Sequence, residues 1–478
     1  MMDRHSEATR RKRQVKKHRL IEMEWPEFGT GSRPPSATAE ELSARLDAAR
    51  AAMSRAGLTH LVVYGDREHF ANLAYLTGFD PRFEEALLIV APDRTPLLVV
   101  GNECEDYVPI SPLYGASQLR RERFQSFSLL SQPRGKSRLM RDILGGEGIA
   151  QGARVGCVGW KYFADTEHPD GAHALELPSY LADTLRALAG HESVVNATAL
   201  LMHPRDGLRA RCSATEIAYF EYTNGLASEG MKRMLFALRE GMTDDAVVRA
   251  AVIEGEPQGC HITFSTGARR HIGMSSPSGQ IIRRGEPLST NLCYWGANIC
   301  RAGWIASGAQ DLPAAARDYV DAFAGPYFVA MVEWCRLLRI GTSGGDLDRL
   351  IRELLPFDRF GIAINAGHLI HLDEWLSSPV YPGSTDPIQS GMVFQSDVIP
   401  GSAVYASSRM EDGFAVADQT LRAELSQRFP DLMARCQARR TFMRDRLGFE
   451  LADEILPLSN MTGLVPPFLL EPRCVLAG

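Results

Sequence analysis

The second half of this chain repeats one order of elements twice. In each copy a long helical pattern, a glycine turn and a shorter helical pattern come before apolar strands. The first copy turns at Gly241, and the second turns in the segment 340–345, which reads IGTSGG. Helices and strands must bury their apolar faces against one another, so a repeated order of this kind restricts the possible packings. The repeat predicts a pseudo-duplicated α+β domain.

The segment before this repeat alternates strand and helix patterns. Residues 39–56 have helical spacing, and apolar strand patterns follow at 59–64, 85–90, 96–100, 154–158 and 193–196. This alternation is typical of an α/β domain. A polar boundary at 202–209 precedes Ser213 and Glu216, which have the spacing of a capping box at a helix start. A chain of 478 residues favours two domains, which we place at 37–204 and 205–478.

Composition excludes several classes of protein. A hydrophobic share of 45% and a charged share of 23% are typical of a globular protein. The net charge of -6 argues against a general nucleic-acid binder, and no apolar run has the roughly 18 residues of a membrane span. The nine cysteines are scattered without a CxxC pair, which indicates free thiols in a reducing cytoplasm.

The N-terminal end is basic. Its lysines and arginines are Arg4, Arg10, Arg11, Lys12, Arg13, Lys16, Lys17 and Arg19. Such a run could be an arm for nucleic acid or membrane, but a solvated tail or a partner-contacting extension is the favoured interpretation. Residues 29–35 (GTGSRPP) have the composition of a linker. Residues 1–36 are therefore interpreted as a basic tail and linker.

One short stretch concentrates groups that can bind a metal or move a proton. His368, His371, Asp373 and Glu374 lie within seven residues, between Asn365 and Trp375. Such a cluster supports a functional hypothesis only where distant parts of the chain supply partners. Both acids are expected to be solvated, and His371 either lines a pocket or lies on the surface.

Several short motifs occur in an order that resembles one known family. They are NLAYLTGF at 72–79, LREGMTD at 238–244, FSTG at 264–267, RGEPLS at 284–289, Gly367-His368, GMVF at 391–394 and RMED at 409–412. The ordered set resembles the creatinase and methionine/Xaa-Pro aminopeptidase family. The resemblance implies an α/β N-terminal creatinase-like (ribonuclease-H-like) domain followed by an α+β pita-bread catalytic-type domain.

The same resemblance bears on whether this chain binds metal ions. Peptidases of the family bind two metal ions through two aspartates, a histidine and two glutamates, and these positions fall here at Asn291, Ala302, His368, Asp397 and Glu411. Loss of both aspartates removes the oxygen ligands that two divalent ions require. We therefore expect no metal cofactor. The alternative is one divalent ion held by the three retained groups.

Creatinase is the family's precedent for hydrolysis of a C–N bond without metal, and it also has asparagine and alanine at the two lost positions. Its principal catalytic histidine falls at Met274, and a second substrate histidine of the peptidases falls at Trp375. Methionine cannot transfer a proton. His271 is the nearby group that could take over this role, and the glutamate that creatinase places near its substrate falls at about Trp304.

A catalytic set can be proposed from these positions. His368 with Asp397 or Glu411 is the candidate acid–base pair, and His271 is the second proton carrier. The candidate substrate-binding residues are Asn291, Arg82, His371, Trp375 and Met274. The alternative is that His368 and Glu411 are inherited polar core groups bonded to one another.

Two further features concern the ligand and the assembly. Trp375, Trp304, Tyr294 and Trp295 suggest aromatic walls suited to a flat or cationic ligand, although core packing explains them equally well. Arg82 falls where family dimers lend a residue to the partner's active site, and an arginine could clamp a substrate carboxylate. A homodimer is expected.

The sequence thus favours a metal-independent, creatinase-like hydrolase or lyase acting on a small amide or amidine C–N bond. Its expected partner is a small-molecule substrate, without nucleic acid or membrane. One alternative is a pseudoenzyme that keeps the fold to bind a ligand or partner. Another is a degenerate single-metal aminopeptidase.

Overall fold

The computed structural model describes residues 18–478. Most of the predicted basic tail lies outside the described residues. The segment expected to be tail and linker nevertheless starts a strand, β1 (Arg19–Glu22), which pairs antiparallel with the C-terminal strand Cys474–Ala477. Trp25 is buried, and its indole N–H donates to the carbonyl of Pro472 at 2.9 Å. This part of the segment 1–36 therefore packs on the second domain, while the division into tail and domains stays a prediction.

The first domain is a mixed α/β layer. Its elements are α1 (Ala39–Arg55), β2 (His60–Gly65), α2 (Ala71–Thr77), β3 (Ala86–Val90), β4 (Leu97–Val100), α3 (Pro112–Gly115), β5 (Arg120–Arg123), α4 (Met140–Gly146), β6 (Val155–Val158), α5 (Ser179–Ala189), β7 (Val194–Asn196) and α6 (Ala199–Met202). The six strands have the order β5-β4-β3-β2-β6-β7, with antiparallel pairs on both sides of β3. The central strands β2, β3 and β4 are buried throughout, as their apolar runs predict.

The second domain contains two small antiparallel sheets. Its elements are α7 (Ala214–Ala237), α8 (Asp244–Arg249), β8 (Phe264–Ser265), β9 (Pro287–Tyr294), β10 (Ala297–Trp304), α9 (Gly325–Leu337), α10 (Gly344–Leu354), α11 (Phe357–Phe360), β11 (His368–Leu369), β12 (Val393–Gln395), β13 (Arg409–Glu411), β14 (Gly413–Val416), α12 (Gln419–Arg428), α13 (Pro430–Phe442), β15 (Ile455–Pro457) and β16 (Cys474–Ala477). One sheet has the order β13-β10-β9-β8 and the other β11-β12-β14-β15.

The predicted duplication is present in the backbone. Gly241 and Gly341 both have positive φ, 86° and 88°, which glycine adopts without steric cost. Their N–H groups donate to the carbonyls of Ile282 and Ile388, each at 2.9 Å. Thr243 and Ser343 then cap α8 and α10 through their hydroxyls. The two halves therefore share one turn and cap, although few of their side chains agree.

One local difference from the sequence prediction has a clear cause. The helix expected at 314–338 is divided: short helical turns at Ala314–Ala316 and Val320–Ala324 come first, and the regular α-helix starts at Gly325, next to Pro326, because proline lacks the N–H of a helix interior and suits the first turn. The capping box of Ser213 and Glu216 forms as predicted at the start of α7. Among the described residues no helix is long and apolar enough to cross a membrane.

Candidate active site

One face of the first small sheet presents several of the positions that the motif resemblance implies for the site. Across β9, β10 and β13, Asn291 pairs with Cys300, and Cys300 pairs with Glu411. Ala302 pairs with Arg409 in the adjoining row. Because directly paired residues point to the same face of a sheet, these side chains share one surface. Cys300, rather than Ala302, lies opposite Asn291.

The second small sheet brings His368 to this surface. Gly367 has φ 105°, and an added Cβ would lie 2.9 Å from the Trp334 ring, so the turn before β11 requires glycine. His368 Nε2 then lies 3.9 Å from Asp397 Oδ2 and 3.9 Å from Glu411 Oε1. The structure therefore brings the three predicted catalytic residues together.

A fourth acid, Glu374, completes the cluster although it was expected to be solvated. Its Oε1 lies 3.3 Å from His368 Nε2, nearer than either of the predicted carboxylates. His368 and Glu411 are fully buried, whereas the Glu374 side chain is 25% exposed. Glu374 is thus the acid of the cluster that solvent reaches most easily. The sequence carried no signal for it, because residues 370–375 do not continue a regular strand.

Arg409 lies between the two predicted carboxylates. Its Nη2 donates to Asp397 Oδ1 and to Glu411 Oε2, each at 2.6 Å. The position of Arg409 two residues before Glu411 puts both side chains on one face of β13. This periodicity is a signal from which the sequence could have identified it as a site residue.

A chain of amide hydrogen bonds supports the acids. The Asn291 amide donates to Asn298 Oδ1, and the Asn298 amide donates to Glu374 and Glu411, all at 3.1 Å. Asn291 Oδ1 accepts the backbone N–H of Thr263 at 2.6 Å. Asn291 also donates to the half-buried Cys260 thiol at 3.2 Å. Asn291 is therefore a positioning group in this structure, whereas the sequence suggested that it binds substrate.

The charged groups of the cluster shift one another's pKa values. Burial opposes the charged imidazole of His368, but Glu374, Asp397 and Glu411 outweigh it and raise its pKa to about 9. Burial and the charge of Asp397 raise the pKa of Glu411 well above its usual range. The pKa of Glu374 is lowered, since the attraction of His368 and the Asn298 hydrogen bond exceed the effect of burial. At neutral pH the cluster therefore holds an imidazolium beside an ionised Glu374.

Trp375 covers the imidazole. The two ring centroids are 4.1 Å apart and the planes are 16° from parallel. Stacking of a cation on an indole face is favourable and fixes the orientation of the ring. The position where the peptidases have a second histidine is thus occupied by a side chain that shields His368.

The residues present do not fit a metal centre. His368, Asp397 and Glu411 have ligand atoms within 4.8 Å of one another, and His368 Nε2 has no well-aligned hydrogen bond to any described residue. However, the Arg409 guanidinium already bonds both carboxylates, and it would repel a divalent cation at that place. At the two positions where the resemblance implies aspartates, Asn291 is engaged in the amide chain and Ala302 has no ligand atom.

The other side of the 365–375 stretch contacts the first domain. His371 Nε2 lies 2.9 Å from Glu216 Oε1, and the imidazole packs edge-on against Tyr75. Asp373 pairs with the fully buried Arg209, which also donates to Asn72 at 2.7 Å. The role of His371 in binding substrate stays a prediction, and Asp373 is buried rather than solvated as expected. Both side chains are buried where the domains meet.

Three other predicted site residues lie apart from the cluster. His271 and Met274 are exposed on the loop after β8, and Met274 is 88% exposed. The loop is held outward by Ser265, whose hydroxyl donates to the Ile272 carbonyl at 2.6 Å. Arg82 is exposed on the first domain, where its guanidinium donates to the Tyr107 hydroxyl. None of the three contacts the His368 cluster within the described chain.

The aromatic residues suggested as pocket walls have separate roles. Trp304 and Tyr294 are buried, and their polar atoms bond the backbone of Tyr405 and Glu254. Trp295 stacks on Phe70 of the first domain, with centroids 4.7 Å apart. Only Trp375 contacts His368. Core packing and domain contact therefore account for the others.

The chain is similar to known proteins in one sequence domain and in its fold. Residues 45–114 match the Creatinase/Prolidase N-terminal domain. No curated protein matches the sequence at a significant level. A prolidase from Thermococcus sibiricus is 14% identical with a TM-score of 0.62, over 89% of this chain and 98% of that chain. The match to a dipeptidase from Mycobacterium ulcerans is 19% identical with a TM-score of 0.60, over 80% and 95%.

An X-Pro aminopeptidase from Thermotoga maritima has the same fold at 16% identity, with a TM-score of 0.56 over 78% of this chain and 95% of that chain. Together with the matched N-terminal domain, these structures confirm the predicted fold class and the resemblance on which it was based. At these identities the structural likeness concerns the fold alone.

Proposed function

We propose that this chain, which has the creatinase/prolidase N-terminal domain and the fold of prolidases and aminopeptidase P, is a metal-independent hydrolase of a small amide or amidine C–N bond. One observation carries the proposal. The Arg409 guanidinium bonds both Asp397 and Glu411 at 2.6 Å, so a side chain supplies the positive charge that metal ions supply in two-metal peptidases.

The proposed acid–base group is Glu374, with His368 as its positioning residue. Glu374 is ionised and partly exposed, and His368 behind it holds its carboxylate by charge. Glu374 takes one proton from an attacking water, whose oxygen adds to the amide or amidine carbon. It then returns that proton to the leaving nitrogen as the C–N bond breaks. The pair differs from the expected one, because Asp397 and Glu411 are held by Arg409.

The test uses purified protein whose metal content is measured by mass spectrometry. Turnover of a panel of small amides, amidines and guanidino compounds is followed with and without a chelator. We expect less than stoichiometric metal, no effect of chelator, and a fall in kcat of about 100-fold or more in Glu374→Gln. Glu424→Gln, on the exposed face of α12, is the matched control. Stoichiometric metal together with activity abolished by chelator would overturn the proposal.

A second candidate function is non-catalytic ligand binding. The observation in its favour is the complete burial of His368 and Glu411, with the predicted second proton carrier His271 on the surface. Saturable binding of a compound from the same panel, recovered intact after long incubation, favours this function. Turnover that is lost in Glu374→Gln excludes it.

The assembly and location proposed for this function are a homodimer in the cytoplasm. Arg82 is 53% exposed and has φ 58°, a strained value for a residue other than glycine, in keeping with a role at an interface. All nine cysteines are free thiols, as a reducing compartment requires. Light scattering tests the dimer. Activity recovered by mixing inactive Arg82→Ala and Glu374→Gln chains would place Arg82 at the partner's site.

A further inference from the structure

A cleft of about 510 Å³ lies between the two domains, beside the His368 cluster but outside it. The first domain lines it with Trp160, Lys161 and Tyr162, which follow β6. The connection between domains contributes His203, and the second domain contributes Trp375 and Ser377. A cavity of this size is within the range of small-molecule sites, which often lie between domains.

Aromatic rings form its walls. The inner face of Trp375 is occupied by His368, at a centroid distance of 4.1 Å, so only the outer face is available to a ligand. Trp160 lies 5.0 Å from the His69 ring, and Tyr162 lies 6.1 Å from the His203 ring. These contacts hold the side chains in place before any ligand binds. Walls of this kind favour a planar ring, which can stack on them.

Each uncommitted polar group of the cleft can donate a hydrogen bond, and the Ser377 hydroxyl can also accept one. The Trp160 indole N–H and the Ser377 hydroxyl are buried and have no hydrogen-bond partner among residues 18–478. The indole nitrogen can only donate. His203 Nδ1 accepts the Arg205 N–H at 3.2 Å, so the neutral imidazole has its proton on Nε2 and donates from there. A ligand that satisfies these groups must present acceptor oxygens.

The charge of the cleft also favours a ligand with acceptor oxygens. Lys161 is exposed, and its ammonium lies 5.4 Å from the centre of the Trp160 ring. The acid in the lining, Asp386, is already neutralised by Arg205 at 2.8 Å and bonded by Tyr381 at 3.0 Å. The available charge is therefore positive. A carboxylate is the acceptor that suits an ammonium and neutral donors together.

We propose that this interdomain cleft binds a planar aromatic carboxylate. Its ring stacks on the outer face of Trp375, and its carboxylate meets Lys161 and the Trp160 N–H. The occupant therefore touches the side chain that covers His368. Binding here does not depend on turnover at that cluster, so failure of the hydrolase proposal and failure of this one are separate results.

The test is calorimetric titration of the full chain with 2-naphthoate. Two probes separate the features that the cleft should recognise. 2-Naphthalenemethanol keeps the ring without the carboxylate, and cyclohexanecarboxylate keeps the carboxylate without the aromatic ring. We expect saturable 1:1 binding of 2-naphthoate and binding at least about tenfold weaker for both analogues. Equal affinity for cyclohexanecarboxylate, or no binding of 2-naphthoate, overturns the proposal.

Two variants locate the site. Trp160→Phe keeps a ring and removes the N–H, and Lys161→Gln removes the ammonium. Each should weaken 2-naphthoate binding about tenfold. Trp295→Phe and Lys136→Gln make the same changes outside the cleft and should leave the affinity unchanged. Thermal unfolding of each variant confirms that it is folded. Unchanged affinity in both cleft variants would contradict the assigned location.

Discussion

The imidazole of His368 lies face to face with the indole of Trp375, and the planes are 16° from parallel. The stack fixes the ring so that Nε2 faces Glu374 at 3.3 Å, while the opposite nitrogen lies 3.2 Å from the Leu369 carbonyl. An aromatic side chain thus takes the place of a second histidine and orients the first one. The charge of His368 therefore depends on the folded structure, and its contribution to the unfolding free energy can be measured.

The first prediction concerns pH. The pKa of His368 is about 9 in the folded chain and 6.5 ordinarily. Its contribution to the unfolding free energy is therefore complete below pH 6.5 and is lost as pH rises through 9. The shift corresponds to about 3 kcal/mol at most. Urea unfolding between pH 6 and about 9.5 should show this loss in the wild type. The charged groups around the imidazole are Glu374, Asp397, Glu411 and Arg409. His368→Gln removes the titrating imidazole, so the unfolding free energy of this variant should depend less on pH. An identical slope in both proteins would contradict the assignment.

The second prediction concerns Arg409. Replacement by Met removes the guanidinium that bonds both Asp397 and Glu411 and leaves His368 as their remaining cationic neighbour. Breaking a buried pair on one side costs about 3–5 kcal/mol. We expect Arg409→Met to lower the unfolding free energy by an amount in this range at pH 7, measured by urea unfolding. Arg349→Met is the control, because Arg349 pairs with Asp346 on an exposed helix face and should contribute less than about 1 kcal/mol. Equal effects of both substitutions would argue against a buried bridge.

The sequence predicted the architecture better than the site. The glycine turns at Gly241 and Gly341 and the capping box at Ser213 have local causes, so they can be derived from neighbouring residues. Asn291, His368, Asp397 and Glu411 were located by motif order and do converge on one cluster. What could not be derived is which way side chains point outside regular strands.

The stretch after Leu369 shows this limit. Glu374 and Trp375 face the cluster, whereas His371 and Asp373 point to the other side and pair with Glu216 and Arg209 where the domains meet. These residues form no regular helix or strand, so their spacing in the sequence does not predict which side each side chain faces. The two sides are set by distant partners on the first domain and on β10. The charged residues that cluster in the sequence are therefore divided between the His368 cluster and the contact between domains.

The third prediction concerns Glu216, which joins the capping box to the domain contact. Its Oε2 accepts the Ser213 N–H, and its Oε1 lies 2.9 Å from His371 and 3.2 Å from Arg45. Burial opposes its charge, but these partners lower its pKa to about 2. The stabilisation is complete above pH 4.5 and is lost as pH falls through 2. We expect Glu216→Gln to lower the unfolding free energy at pH 7 by about 2–4 kcal/mol.

Acid unfolding tests this prediction. The loss of stability below pH 4.5 should be smaller in Glu216→Gln than in the wild type, because glutamine does not titrate. Glu424→Gln removes a carboxylate from an exposed pair and should change the unfolding free energy by less than about 1 kcal/mol. If the two variants behave alike, the contact with His371 does not contribute to stability.

The fourth prediction concerns the buried pair of Arg209 and Asp373. Arg209 is fully buried and also satisfies Asn72 Oδ1, so Arg209→Met leaves an acid and an amide oxygen without a partner where the domains meet. The expected loss is about 3–5 kcal/mol.

Asp373→Leu alone leaves the guanidinium unpaired and should cost a similar amount. The double variant removes both charges and should be more stable than the sum of the single losses implies, by at least about 1 kcal/mol. Urea unfolding of the four proteins closes this cycle. Additive losses would mean that Arg209 and Asp373 do not stabilise each other.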